Sequence, residues 1–250
     1  MRNITLMLGL FWVGSGALPA YSCEIFVPDD AGYVVEGDAV DQNGTLIYRE
    51  RLEFTPSPTG GQLTVSYITP EAGEFAEKQV DFTCNPTTPA FTLTDLASQE
   101  REGVEWVDGD TIVSFQGGEQ TELDVPTGIT IFDAGFDNTI KRHWDTLVTG
   151  EPLKVNYLFA RDNRFLTLRL QLSEPPADLN QDDTAGIAFF KISANNLLFR
   201  LLSKSLYVGY DLESRALRYY IGPSNLPMMR DRKEIVITYQ PESGDSLASN

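Results

Sequence analysis

The chain is poor in the residues from which metal centres and nucleophilic active sites are usually built. Its 250 residues hold two cysteines and one histidine. Four-ligand Cys/His metal sites cannot be assembled from three such residues, and any His-based catalysis would have to run through His143 alone. There is no Gly-x-Ser-x-Gly elbow, Cys-x-x-Cys pair, Gly-rich phosphate loop or His-x-x-x-His spacing. Basic residues are also scarce, with 19 Lys and Arg against 36 Asp and Glu and a net charge of −17. A duplex or an anionic membrane surface would repel that charge, so no nucleic-acid partner is expected. After the first twenty residues no stretch approaches the ~20 apolar residues of a spanning helix. Hydrophobic residues still make up 42% and charged residues 22% of the chain, enough apolar material for a folded core.

The N-terminus carries Arg2, then the apolar run from Ile4 to Val13, then small residues and Ala20-Tyr21-Ser22 ahead of Cys23. That is the charged, apolar and cleavage-site order of a secretory signal peptide. Residues 1–22 are therefore expected to be removed, 23–240 to form a single β-rich domain, and 241–250 to be a disordered tail. An uncleaved N-terminal anchor is the alternative. A lipoprotein signal wants a Leu-like residue three places before the cysteine, and that place holds Ala20. A disulfide between Cys23 and Cys84 in an oxidising compartment is the expected use of the two thiols. A lipid anchor on Cys23 is the other reading.

Along the mature chain the recurrent pattern is alternation with period two. Leu46, Tyr48, Leu52 and Phe54 share one face after an Asn43-Gly44 turn. Leu63, Val65 and Tyr67 follow, then Val80, Phe82 and Cys84 beyond a turn at 70–73. The segment Asn85–Asp110, with Pro86 and Pro89, reads as a crossing loop. Strands are expected again at Thr111–Phe115 and Gly128–Phe132, with a Gly117-Gly118 turn between them. One helix is expected from Asp133, as N-cap, to Val148, because Phe136, Ile140, Trp144 and Leu147 form a single apolar stripe. Alternation resumes in Leu153–Phe159, Leu166–Leu172, Ile187–Ser193, Leu206–Tyr210, Leu217–Ile221 and Glu234–Tyr239. A short second helix is expected at Asn195–Leu202. The fold class that follows is mainly β: a large curved antiparallel sheet, a half-open barrel, with one clear and one short helix covering its concave side.

The segments Gly44–Glu50, Asp133–Asp137 through Trp144, and Tyr210-Asp211 through Ser224-Asn225 resemble a group of uncharacterised exported proteins of Gram-negative bacteria. The order of elements is similar to the half-open barrels of periplasmic lipoprotein carriers and lipid-binding proteins. That resemblance implies a periplasmic location and a cavity between sheet and helices for an acyl chain or another apolar ligand, and it transfers no residue.

The candidate cavity-lining residues are Phe136, Ile140, Trp144, Leu147, Tyr157, Phe159 and Glu50, with Tyr67 a further possibility; core packing is the other role for each apolar one. Glu50 alternates in phase with Tyr48 and Leu52 and so points to the apolar side, where a carboxylate is costly unless paired or protonated. It either fixes a polar headgroup, acts as an acid, is neutralised by an arginine on a neighbouring strand, or is turned to solvent by a local bulge. The loop Asp178–Thr184 begins like a calcium loop but has Asp183 where Gly is needed and Phe189 where the bidentate Glu is needed. No metal and no cofactor are expected. The leading expectation is a periplasmic binding or carrier protein for an apolar or amphipathic, lipid-like ligand. An envelope protein-interaction module and an acid-dependent hydrolase are the alternatives.

Overall fold

The computed structural model describes residues 32–177, 179–194, 206–224, 226, 229 and 234–241. Among these, fifteen strands form one curved sheet. The first eight run as an antiparallel meander from the sheet's middle to one edge. They are β1 (Tyr33–Val40), β2 (Leu46–Ser57), β3 (Gly60–Thr69), β4 (Gly73–Asp81), β5 (Ala90–Asp95), β6 (Arg101–Asp108), β7 (Thr111–Gln116) and β8 (Glu119–Asp124). The chain then crosses to the opposite edge, where β9 (Thr130–Phe132) lies parallel to β10 (Leu153–Phe159). From β10 a second antiparallel meander runs inward through β11 (Arg164–Ser173), β12 (Ile187–Ala194), β13 (Leu206–Asp211) and β14 (Leu217–Gly222). It ends with β15 (Ile235–Pro241) paired to β1. The expected mainly β, curved antiparallel architecture is therefore the observed one.

The two ends of the sheet curl toward each other. Ser114 on β7 donates its hydroxyl to the Ala160 carbonyl just after β10, at 2.8 Å. The Trp106 indole of β6 stacks on Phe132 of β9, with ring centroids 5.7 Å apart, and donates to the Thr88 carbonyl at 3.0 Å. Each free edge is blunted. The strand β8, Glu-Gln-Thr-Glu-Leu-Asp, is an acidic, largely exposed edge, and charge on an edge discourages pairing with another chain. The other edge is covered, since the Phe132 amide donates to the Thr87 carbonyl at 3.0 Å.

Several expectations need correction. The segment 85–110 is not a crossing loop but contains β5 and β6. Their alternation is short and broken by charge, with Phe91 and Leu93 the only large apolar pair in β5. The Gly117-Gly118 turn is present, but it leads into β8, a strand with no apolar alternation because it faces solvent at the edge. The helix is two pieces, α1 (Gly135–Arg142) and α2 (Trp144–Val148), parted at His143, whose backbone leaves the helical region. Asp133 is not the N-cap. Ala134 occupies that place without a side-chain cap, because the Asp133 carboxylate is taken by Lys78. The signal segment 1–22, Cys23, the 195–202 helix and the tail beyond 241 lie outside the described residues. Cys84 is not a free thiol. Among the described residues no helix is long and apolar enough to cross a membrane.

Candidate functional site

Inside the curl lies a cavity of about 810 Å³. Its wall comes mainly from inward side chains of the first meander, including Val35, Leu52, Phe54, Leu63, Val65, Phe91 and Leu93. Tyr157 and Phe159 of β10, Leu168 of β11, Ile192 of β12, Val208 of β13, Leu217 of β14 and Ile237 of β15 close the other side. The helix α1 borders it through Phe136, Asp137, Asn138 and Lys141. Period-two alternation produces this wall: on a curved sheet one set of side chains converges inward while its neighbours face solvent.

Four of the seven residues singled out from sequence, Glu50, Phe136, Tyr157 and Phe159, line the cavity, and so does Tyr67. Ile140, Trp144 and Leu147 do not. They belong to a second packed cluster with Val155, Leu170, Phe190, Val208 and Tyr210, beneath the helices. Trp144 meets Phe190 and Tyr210 edge-on, at 5.6 and 6.1 Å between centroids, and the Arg215 guanidinium lies over its ring. The stripe correctly marks the helices' buried face. That face packs on β10–β13, and only the flank carrying Phe136 and Lys141 reaches the cavity.

One stretch of the wall is polar, and it is assembled by strand register. On β2, Glu50 stands opposite Gly37 of β1, and Gly37 in turn stands opposite Tyr239 of β15. A Cβ at Gly37 would sit 2.6 Å from the Tyr239 ring. The missing side chain lets that ring lie across β1, so that its hydroxyl donates to Glu50 Oε2 at 2.8 Å. On Glu50's other side, in β3, is Tyr67. Beyond it in the sheet, Lys78 of β4 reaches Asp133 and donates to both carboxylate oxygens, at 3.0 and 2.9 Å, with its ammonium 6.0 Å from the Tyr67 ring centroid. Glu50 and Lys78 are each about 5% exposed. The Tyr48 hydroxyl is buried nearby with no hydrogen-bond partner among the described residues.

The electrostatics follow from burial. Loss of water pushes Glu50 above the ordinary glutamate range, outweighing the Tyr239 hydrogen bond and the Lys78 charge that favour its ionised form. Burial works against the Lys78 ammonium too, but Asp133 at hydrogen-bond distance more than offsets it and holds Lys78 above its usual value. Burial raises Tyr67, Tyr157, Tyr220 and Tyr239, so all four are neutral phenols at pH 7. The cluster is thus a neutralised ion pair, a carboxyl biased toward its protonated form, and a ring of hydroxyls.

Sequence reasoning passed over Lys78, Asp133 and Tyr239. A signal for the first was present: Lys78 is in phase with Val80 and Phe82, as Glu50 is with Tyr48 and Phe54. Two opposite charges on inward positions of nearby strands mark a shared buried site. Asp133 offered no such signal, because its position next to a helix start supplied a sufficient local explanation. His143 sits at the break between the helices, where burial and the adjacent Arg142 hold its imidazole below the usual value. In the 178–184 loop Asp178 lies outside the described residues, and 181–184 form a 3-10 turn.

No protein-family model matches the chain, and no curated protein matches it. Its fold is similar to that of a crystal structure from Brucella abortus, a beta-barrel-like protein of a domain of unknown function, DUF1849. The TM-score is 0.53 at 10% sequence identity, over 85% of this chain and 98% of that chain. At that identity the likeness carries architecture alone, a β-barrel-like fold.

Proposed function

We propose that this chain is a binding or carrier protein for an amphipathic, lipid-like ligand whose apolar part occupies the cavity. The observation that carries the reading is the cavity itself: about 810 Å³ with walls mostly of aliphatic and aromatic side chains and one confined polar patch. Small-molecule sites have this make-up, and ~300–1,000 Å³ is their usual size range. Two further proposals accompany it. The chain is exported to the periplasm with residues 1–22 removed, which the order of charged, apolar and small residues at its start supports. Cys23 is bridged to Cys84, which the state of Cys84 supports, since it is not a free thiol.

Native mass spectrometry of the protein purified from its own compartment, with solvent extraction of anything bound, tests the first reading. A co-purifying apolar molecule at near-stoichiometric amount is expected. The neutral fluorophore N-phenyl-1-naphthylamine should bind the emptied protein, and Leu52→Trp, which places an indole in the cavity, should weaken that binding while the melting temperature stays close to the parent's. Absence of both a bound molecule and fluorophore binding would overturn the reading. The intact mass of the same sample reports whether residues 1–22 are gone and whether Cys23 carries lipid.

A further inference from the structure

What the cavity accepts at the polar end of a ligand is decided by the Glu50 patch, and this inference rests on the carrier reading above. The one ammonium in the patch, that of Lys78, is spent on both oxygens of Asp133. Two carboxyl groups, Glu50 and Asp133, therefore share the wall with a single cation that is already paired. A second anion brought here would lose its water, meet those carboxyls and find no unclaimed positive charge, which makes its burial costly. The remaining cationic side chains on the lining, Lys141, Arg161 and Arg215, are half-buried or exposed, so water screens their charge. Two of these are matched, Lys141 to Asp137 at 2.7 Å and Arg215 to Asp145 at 3.4 Å. Within the patch the Lys78–Asp133 pair is closed, and Glu50, held by the Tyr239 hydroxyl at 2.8 Å, is biased by burial toward its neutral form. A head group of either charge therefore finds no counter-ion there. What the patch does offer is neutral hydrogen bonding, from the phenols of Tyr67 and Tyr157, from Glu50, and from the acceptor lone pairs of Tyr220 and Tyr239, whose hydroxyls already donate to Pro223 and Glu50. Hydroxyl and ester groups, which accept and, for hydroxyls, donate, match that inventory.

We propose that the cavity is a site for uncharged single-chain amphiphiles, with a hydroxyl or ester head against the Glu50–Tyr239 wall and the alkyl chain along the apolar lining, and that it rejects the corresponding carboxylates.

The test is displacement of N-phenyl-1-naphthylamine from the delipidated full-length protein by monolauroylglycerol, dodecanol, laurate and dodecylamine, each below its micellar concentration. Monolauroylglycerol and dodecanol are expected to displace the fluorophore at concentrations at least about tenfold lower than laurate. Two double variants locate the cause. Glu50→Gln/Asp133→Asn leaves Lys78 as the patch's one charge and should move the preference toward laurate by about tenfold or more. Lys78→Met/Asp133→Asn removes the ion pair altogether and should keep the preference for the uncharged ligands. Circular dichroism melts confirm that each variant is folded before its ratio is read, and the second pair, which removes both partners together, supplies the reading if the first does not fold. Laurate or dodecylamine binding as tightly as the uncharged ligands in the parent would overturn the proposal. So would a laurate ratio unchanged in the first variant, or a preference for the uncharged ligands lost in the second. Failure of the fluorophore and all four amphiphiles to bind would instead overturn the carrier reading on which it rests.

Discussion

The Lys78–Asp133 pair makes the sharpest stability prediction. Its side chains are 6% and 16% exposed, and two hydrogen bonds at 3.0 and 2.9 Å join them across 55 residues of chain. Lys78→Met keeps most of the side-chain volume but leaves the Asp133 carboxylate partly buried with no counter-charge. Breaking a buried pair from one side costs about 3–5 kcal/mol. The lower end applies, because Asp133 retains some access to water, so about 3 kcal/mol is expected here. For a domain of this size that corresponds to a melting point lower by about 6–12 °C. The second substitution is the discriminating step. Asp133 has a φ of +38°, a region that Asn enters more readily than most residues, so Asp133→Asn fits the backbone while removing the stranded charge. The double variant Lys78→Met/Asp133→Asn should recover to within about 1 kcal/mol of the parent, since replacing both partners together avoids an unpaired buried ion. Urea titrations of the parent, both single variants and the double variant at pH 7 complete the cycle. A single-variant cost below about 1 kcal/mol, typical of exposed pairs, would refute the buried ion pair, as would a double variant no more stable than Lys78→Met.

Three other outcomes follow from the same geometry. Glu50 titrates higher when folded than unfolded, so its contribution to stability is full below the free-glutamate range and is lost as pH rises through its elevated value. The urea midpoint of Glu50→Gln minus that of the parent should therefore grow as pH is raised from about 4, and a flat difference would show that Glu50 is not desolvated. Gly37→Ala puts a methyl group 2.6 Å from the Tyr239 ring and 2.9 Å from Ile237 Cγ2, which should cost about 1–3 kcal/mol as overpacking and break the Tyr239–Glu50 hydrogen bond; urea unfolding and the tyrosine ultraviolet difference spectrum report the two effects. If Cys84 is bridged to Cys23, Cys84→Ser should cost about 4 kcal/mol on the chain-entropy account, and the parent's melting temperature should fall with reductant while the variant's does not.

The parts of the fold that could be read from sequence are those where alternation is strong and one-sided. The strands β2, β3, β10 and β11 present runs such as Leu63-Val65-Tyr67 and Leu166-Leu168-Leu170, which only a half-buried strand explains. The strands that escaped are those whose stability is not local. For β8, with three acids in six residues, pairing to β7 supplies what composition does not. The segment containing β5 and β6 was obscured by the prolines before it and by the charges within β6. At the site, Glu50 was visible because a charge in the wrong phase is an anomaly a sequence can display. Its partner was not, because Tyr239 lies 189 positions away and meets it only through a strand order that brings the last strand beside the first. The gap at Gly37 that permits the contact has no meaning until that order is known. Ile140, Trp144 and Leu147 show the converse limit: a stripe identifies which face is buried, and says nothing about whether it is buried against a wall or against a void.

That void bears on why the interior is built as it is. The cavity of about 810 Å³ is partly open, so in the folded protein it is filled by water or by a guest. Water gains little against Leu52, Phe54, Val65 and Phe91, and it is best held only where Glu50, Tyr239 and the Lys78–Asp133 pair supply hydrogen bonds. A guest with one polar end and one apolar end satisfies both regions at once. Binding such a guest should raise the melting temperature with the logarithm of its concentration. It should also do so more in the parent than in Leu52→Trp, where part of the space is already occupied. Equal stabilisation of the two by monolauroylglycerol would place the guest outside the cavity and sever the link drawn here between the empty space and ligand binding.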